Sequence, residues 1–150
     1  MRCIRFTIPG KCRGYTTTNA KSAKKSKAIL AYWDYCKAVR LCAQAAGVRP
    51  VPLISTVDSP IMLFTRAYFE NGVHADPENV HKGIKDALFY TKKIKLPKGV
   101  KWVGERPNGT ADKYTGGHYL PPKYDKENPR VDVIVRLFQP EDEVIWQEKS

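Results

Sequence analysis

Three carboxylates, an amide and two ammonium groups crowd into one stretch of the chain, Asp76-Pro-Glu-Asn-Val-His-Lys-Gly-Ile-Lys-Asp86. Wound as a helix at about 100° per residue, Asn79, Lys82, Gly83 and Asp86 share one face, while Val80, Ile84, Ala87, Leu88 and Thr91 share another about a third of a turn away. The apolar stripe must face a core. The polar stripe, with Asp76 and Glu78 at its N-terminal end, then offers oxygen ligands of the kind that suit Mg²⁺ or Mn²⁺, ions that take carboxylates together with water and substrate phosphate oxygens. A lysine beside them can offset the charge that develops on a phosphoryl group under in-line attack by water. The same residues also describe a well-begun helix, with Asp as N-cap, Pro at the first helical position and Lys82 with Asp86 as an ordinary i,i+4 pair. Spacing alone leaves both readings open.

The elements that must position this stretch follow from periodicity. Ile4, Phe6 and Ile8 alternate with Arg5 and Thr7 as a half-buried strand that Pro9 and Gly10 end. Residues 10–22 read as a loop rich in Gly, Thr, Lys and Arg. From about Ala23 the spacing of Ile29, Tyr32, Trp33, Cys36, Val39 and Ala43 predicts a helix that Gly47 stops, so basic loop and helix occupy 10–47. After Pro50 and Pro52, Ile61, Leu63 and Phe64 predict a strand toward Phe69, broken at Asn71-Gly72. The motif helix begins at Asp76-Pro77, runs to about Tyr90 and spans 76–91 with Thr91 on its apolar stripe. Gly and Pro make 92–111 an irregular insertion. Closing strands are expected over Tyr114–Leu120 and Val131–Leu137, with an acidic, peripheral tail at 140–150. The order β-α-β-α-β-β predicts a single α+β (mixed α/β) domain over 1–150: a small mixed sheet of about four strands with two main helices packed on it.

Charge points to a partner. The 150 residues carry 26 Lys and Arg against 15 Asp and Glu, a formal charge of +11. The first fifty hold 11 of the basic residues and one acid, Asp34, whereas the remaining hundred are nearly neutral. A polyanion such as a phosphate backbone is therefore the first partner to consider and an acidic surface the second; a solubilising, lysine-rich face is the plain alternative. Lys21, Lys24, Lys25 and Lys27 gather where the first helix begins, and there positive charge opposes the helix dipole unless an anion lies nearby. The cysteines at 3, 12, 36 and 42 form no Cys-x-x-Cys pair, so free, mostly buried thiols are expected rather than a zinc site or a disulfide framework. No run approaches the ~20 apolar residues of a membrane span. With no signal-like start, a cytoplasmic home is expected.

The pattern Asp76-x-Glu78-Asn79-x-x-Lys82-x-x-x-Asp86-Ala87-Leu88 resembles, in register, the signature of RusA-type Holliday junction resolvases, homodimeric metal-dependent endonucleases of bacteria and phages. The opening Phe6-Thr-Ile-Pro9, the basic loop and helix after it, and Pro129-Arg-Val-Asp-Val133 also resemble that family, so the likeness spans most of the chain from 4 to 137. It implies that Asp76 and Glu78 are metal ligands and Lys82 the catalytic lysine, with Asn79 and Asp86 in support and Mg²⁺, or Mn²⁺, as cofactor. The family often has Asp where this chain has Glu78. Its third metal-binding Asp follows the motif helix closely, and here the insertion fills that gap. Counting back from the closing strand aligns this acid with Asp112, ahead of Glu105 among Gly104, Pro107 and Gly109, and of Asp125 beyond the strand.

Histidines 74, 81 and 118 lack metal-ligand spacing, and His81 points about 100° away from Lys82 on the helix, so none is assigned a catalytic role. The aromatics read as core, except that Tyr15 in the basic loop is available to stack on a distorted base. Together with Lys11, Arg13, Lys21, Lys24, Lys25 and Lys27 it makes the expected DNA-binding set. The implied function is structure-selective cleavage of four-way DNA junctions by a homodimer, in recombination and repair. The rival is a catalytically silent basic module of phage type that keeps the fold and only holds DNA.

Overall fold

The computed structural model describes residues 3–15, 27–49, 51–89, 92–96, 99–103 and 114–143. Strand β1 (Ile4–Pro9) alternates buried Ile4, Phe6 and Ile8 with exposed Arg5, Thr7 and Pro9, as a strand with one covered face must. Helix α1 (Lys27–Ala45) buries Tyr32, Tyr35, Cys36, Val39 and Ala43. Gly47 ends it at φ +96°. There the Gly47 N–H bonds the Gln44 carbonyl (3.0 Å) and the Val48 N–H bonds the Ala43 carbonyl (2.9 Å), the paired closure that needs a left-handed residue. Strand β2 (Ile61–Phe69) alternates along its whole length, and helix α2 (Pro77–Phe89) buries Val80, Gly83, Ile84, Ala87, Leu88 and Phe89. The predicted apolar stripe of α2 thus faces the core, where full burial of a side chain such as Ile84 or Leu88 stabilises the fold by about 1.5–3 kcal/mol.

Strand β7 (Arg130–Leu137) is central and antiparallel to both β1 and β2. Two short strands, β5 (Thr115–Gly116) and β6 (Lys123–Tyr124), lie parallel to β2 at its two ends, completing a mixed sheet in the order β1-β7-β2-β5 with β6 also on β2. Its inward residues, among them Ile8, Leu63, Val133 and Val135, join the two helices in one core. The other face carries Arg5, Thr7, Phe64, Arg66, Tyr68, Asp132 and Arg136. This is the small α+β architecture that the periodicity implies. Among the described residues no helix is long and apolar enough to cross a membrane.

Two expectations need correction. The insertion is not irregular over its first half: β3 (Lys92–Leu96) and β4 (Gly99–Val103) pair as an antiparallel hairpin, apart from the main sheet. Ile94 and Leu96, then Val100 and Trp102, alternate with lysines in the sequence, and that period of two outweighs the breaking signals of Pro97 and Gly99. Nor is Tyr114–Leu120 a continuous strand. It pairs at Thr115–Gly116, touches β2 again at Tyr119 opposite Thr65, and resumes only at Lys123–Tyr124. Gly117, at φ +96°, interrupts it where any Cβ would overlap the Leu63 carbonyl. The tail begins as a 3₁₀ turn (Pro140–Glu143) held by Asp142 on Arg136 (2.7 Å), which draws the Asp142 carboxyl down to about 2. The expected start of the first helix near Ala23, the second half of the insertion and the end of the tail lie outside the described residues.

Candidate functional site

Asp76 is the N-cap of α2. Its Oδ1 accepts the Glu78 N–H (2.8 Å) and its carbonyl accepts the Val80 N–H (3.0 Å), while Pro77 at the first helical position has no N–H to leave unbonded. Oδ2 has no hydrogen bond to a described residue. The Asp76, Glu78 and Asn79 side chains are exposed. Two carboxylates thus stand two residues apart at the helix end whose dipole favours negative charge.

The basic loop is laid across this end. Cys12 anchors it, with Sγ 3.2 Å from the Arg130 carbonyl and 3.5 Å from the Tyr68 carbonyl, and burial pushes its thiol pKa up. Gly14 then passes so close to α2 that a Cβ there would lie 3.1 Å from the Cβ of Ala75 and 3.3 Å from that of Asn79. The Tyr15 N–H bonds the Asn79 carbonyl (2.9 Å). Between this loop and residues 73–75 lies a cleft of about 330 Å³ whose walls include Lys11, Arg13, Tyr32, His74 and Ala75, the neighbour of Asp76. A larger cavity, about 440 Å³, lies on the uncovered face of the sheet among Arg5, Phe64, Arg66 and Asp132 and contains none of the motif residues.

Further along α2 the polar stripe divides. The Lys82 ammonium lies 4.4 Å from the centroid of the Tyr15 ring, and that ring meets Tyr32 edge-on at 5.7 Å. Asp86 engages Tyr32 itself. Its Oδ2 accepts the Tyr32 hydroxyl (2.9 Å), whose pKa is pushed up by burial first and then by Cys36 and Asp86. Asp86 lies ten positions beyond Asp76, about 15 Å along the axis, so the three carboxylates of the motif form two sites rather than one. Asp86 fastens α2 to α1, and the i,i+4 pair with Lys82 is replaced by these two contacts.

Of the expected DNA-binding set, Lys11 and Arg13 are exposed at the cleft, Tyr15 is half-buried beneath Lys82, and Lys27 is exposed at the first residue of α1. Lys21, Lys24, Lys25, Asp112, its competitor Glu105, and Thr91 of the apolar stripe lie outside the described residues. Among the described residues no three Asp, Glu, His or Cys side chains come together as a metal-holding group. Asp76 and Glu78 still fit the chemistry of Mg²⁺, which is commonly held through one or two carboxylates while retaining water and taking substrate phosphate oxygens.

Two contacts escape sequence reasoning. Tyr32 and Asp86 are 54 residues apart, and no spacing rule joins them. His81, set aside for its direction, does point inward: its Nδ1 is 2.7 Å from the hydroxyl of buried Thr65, and burial, then Lys85 and His118, hold its pKa down at about 4. Of the cysteines, Cys12 and Cys36 are buried, Cys42 is half-buried and Cys3 exposed, all as free thiols. Comparison with protein-family models, curated proteins and solved structures finds no match to this chain.

Proposed function

We propose that the protein is a structure-selective DNA endonuclease that resolves four-way junctions by divalent-metal-assisted phosphodiester hydrolysis, in recombination and repair. The observation that carries this reading is the packing of the basic loop against the start of α2: Gly14 lies against Ala75 and Asn79, the Tyr15 N–H bonds the Asn79 carbonyl, and Lys11 and Arg13 line a cleft that reaches Ala75, the neighbour of Asp76. A merely solubilising charge has no reason to be packed against the end of the helix that carries the two acids.

In this reading Asp76 and Glu78 hold Mg²⁺ or Mn²⁺, with Asp112 as the third acid. The bound ion supplies Lewis-acid polarisation of the phosphoryl group. Lys82 leaves the Tyr15 ring to meet a non-bridging phosphate oxygen and offsets the charge that develops there. Lys11, Arg13, Lys21, Lys24, Lys25 and Lys27 hold the DNA arms through phosphates, which gives affinity without sequence information. Tyr15 keeps Lys82 and the loop in register and lies where a splayed base would arrive. Asn79 spans loop and helix through its carbonyl, and Asp86 sets the angle of α2 through Tyr32. A junction offers paired strands to cut, so two copies related by a two-fold axis supply the two sites, in the cytoplasm of a bacterial or phage-infected cell.

A second reading, a silent DNA-holding module, draws on the absence of a third acid beside Asp76 and Glu78 among the described residues. One experiment separates the two. Incubating the protein with an end-labelled synthetic four-way junction and with duplex of the same sequence, in Mg²⁺ or EDTA, is expected to give Mg²⁺-dependent cuts in the junction alone. Stable junction binding without cuts in either Mg²⁺ or Mn²⁺ would establish the silent module.

A further inference from the structure

We propose that His74, held by Tyr124, is a positioning residue that sets the orientation of Asp76; this rests on the reading of Asp76 as a metal ligand. The imidazole is fixed in three ways. It stacks on Phe69, the last residue of β2, with centroids 3.7 Å apart and planes within 7°. Its Nδ1 is 2.6 Å from the Ala75 carbonyl oxygen, and because a carbonyl only accepts, Nδ1 must carry the hydrogen. Its Nε2 lies 2.9 Å from the Tyr124 hydroxyl, which donates to it in the neutral ring. Tyr124 belongs to β6 and pairs in register with Phe69, so stack and hydroxyl come from adjacent strands.

What this triad grips is the peptide that leads into the candidate ligand. The Ala75 carbonyl is one end of the Ala75–Asp76 peptide group, so a bond to it fixes the plane from which the Asp76 side chain departs. From the other side, the Glu78 N–H holds Oδ1. Oδ2 is thereby aimed by two restraints of opposite origin, one from the sheet edge and one from the helix. Burial does not account for the arrangement. His74 is exposed and Tyr124 is 58% exposed, yet both imidazole nitrogens are engaged. Outer partners of this kind commonly govern metal affinity by 10–100-fold where they orient a ligand.

Three variants of the full chain test this. His74→Phe keeps the stack and loses both hydrogen bonds, His74→Asn restores a donor to the Ala75 carbonyl, and Tyr124→Phe removes only the outer partner. Two quantities are read in the absence of DNA: Mn²⁺ affinity by calorimetry, and exchange of the Glu78 amide by NMR. His74→Phe is expected to weaken Mn²⁺ binding about ten-fold or more and to speed Glu78 exchange. His74→Asn should recover most of both, and Tyr124→Phe should fall between. Wild-type values for both quantities in His74→Phe would overturn the assignment. Should that variant fail to fold, Tyr124→Phe decides in the same way. If the wild type binds no Mn²⁺, the metal reading falls, and Glu78 exchange alone decides whether His74 orients Asp76.

Discussion

Lys82 and Asp86 show how two residues of one motif part company once the chain is folded. Four positions apart, they read from sequence as partners, yet Lys82 lies over Tyr15 while Asp86 accepts the Tyr32 hydroxyl. A helical wheel orders side chains on one helix but is blind to the loop and helix packed beside it. Asp76 was more legible, because N-capping is local and its Oδ1 bond with Glu78 follows from residue type. His81 was legible in direction only; its partner, Thr65, comes from another element. Its burial makes stability depend on pH. The folded imidazole is held at about 4 against an ordinary value of 6.5, so between those values the unfolded chain binds more protons. The contribution is full above pH ~6.5 and fades as pH falls toward ~4. In urea titrations between pH 7 and 4.5, His81→Gln should lose less stability than wild type. Parallel losses in the two would remove His81 as a cause.

At the scale of elements, the loop over residues 11–15 depends on the missing side chains at Gly14 and Gly83. A Cβ at Gly83 would sit 3.3 Å from Tyr32 Cε1 and 3.4 Å from the Tyr15 nitrogen, so a ring from α1 and the backbone of the loop both close on α2 there. Gly83→Val adds γ-carbons that have no space. It is expected to cost about 1–3 kcal/mol, read as a lower urea midpoint, and to weaken junction binding as the loop lifts from α2. A midpoint at or above the wild-type value would show that the loop yields freely. The three long strands and both helices were legible because each keeps one period over most of its length. The hairpin β3–β4 was not, as Pro97 and Gly99 carried more weight than the alternation around them. The broken edge strand escaped for a different reason: Gly117 is required by the approach of the Leu63 carbonyl, a tertiary fact with no local signature.

For the whole molecule, asymmetry of charge is the feature that bears on function. The near-neutral remainder contains strong cations, but Arg130 is met by Asp125 at 3.0 Å and Arg136 by Asp142 at 2.7 Å, in place on the sheet. Such surface pairs add little stability. By count the excess of positive charge lies in the N-terminal third, which brings Lys11 and Arg13 to the cleft. Replacing Lys24, Lys25 and Lys27 together by Gln should weaken binding to junction and duplex alike and lower the salt slope of log K by ~0.9 for each phosphate no longer neutralised. An unchanged slope would mark them as a solubilising face. The central claim, that Asp76 serves chemistry as well as capping, is tested most directly by comparing Asp76→Asn with wild type at equal junction occupancy in Mg²⁺. Asn caps a helix about as well as Asp, so fold and binding should persist. Wild type is expected to cut the junction while Asp76→Asn binds it and leaves it whole; equal cleavage by the two would contradict the claim.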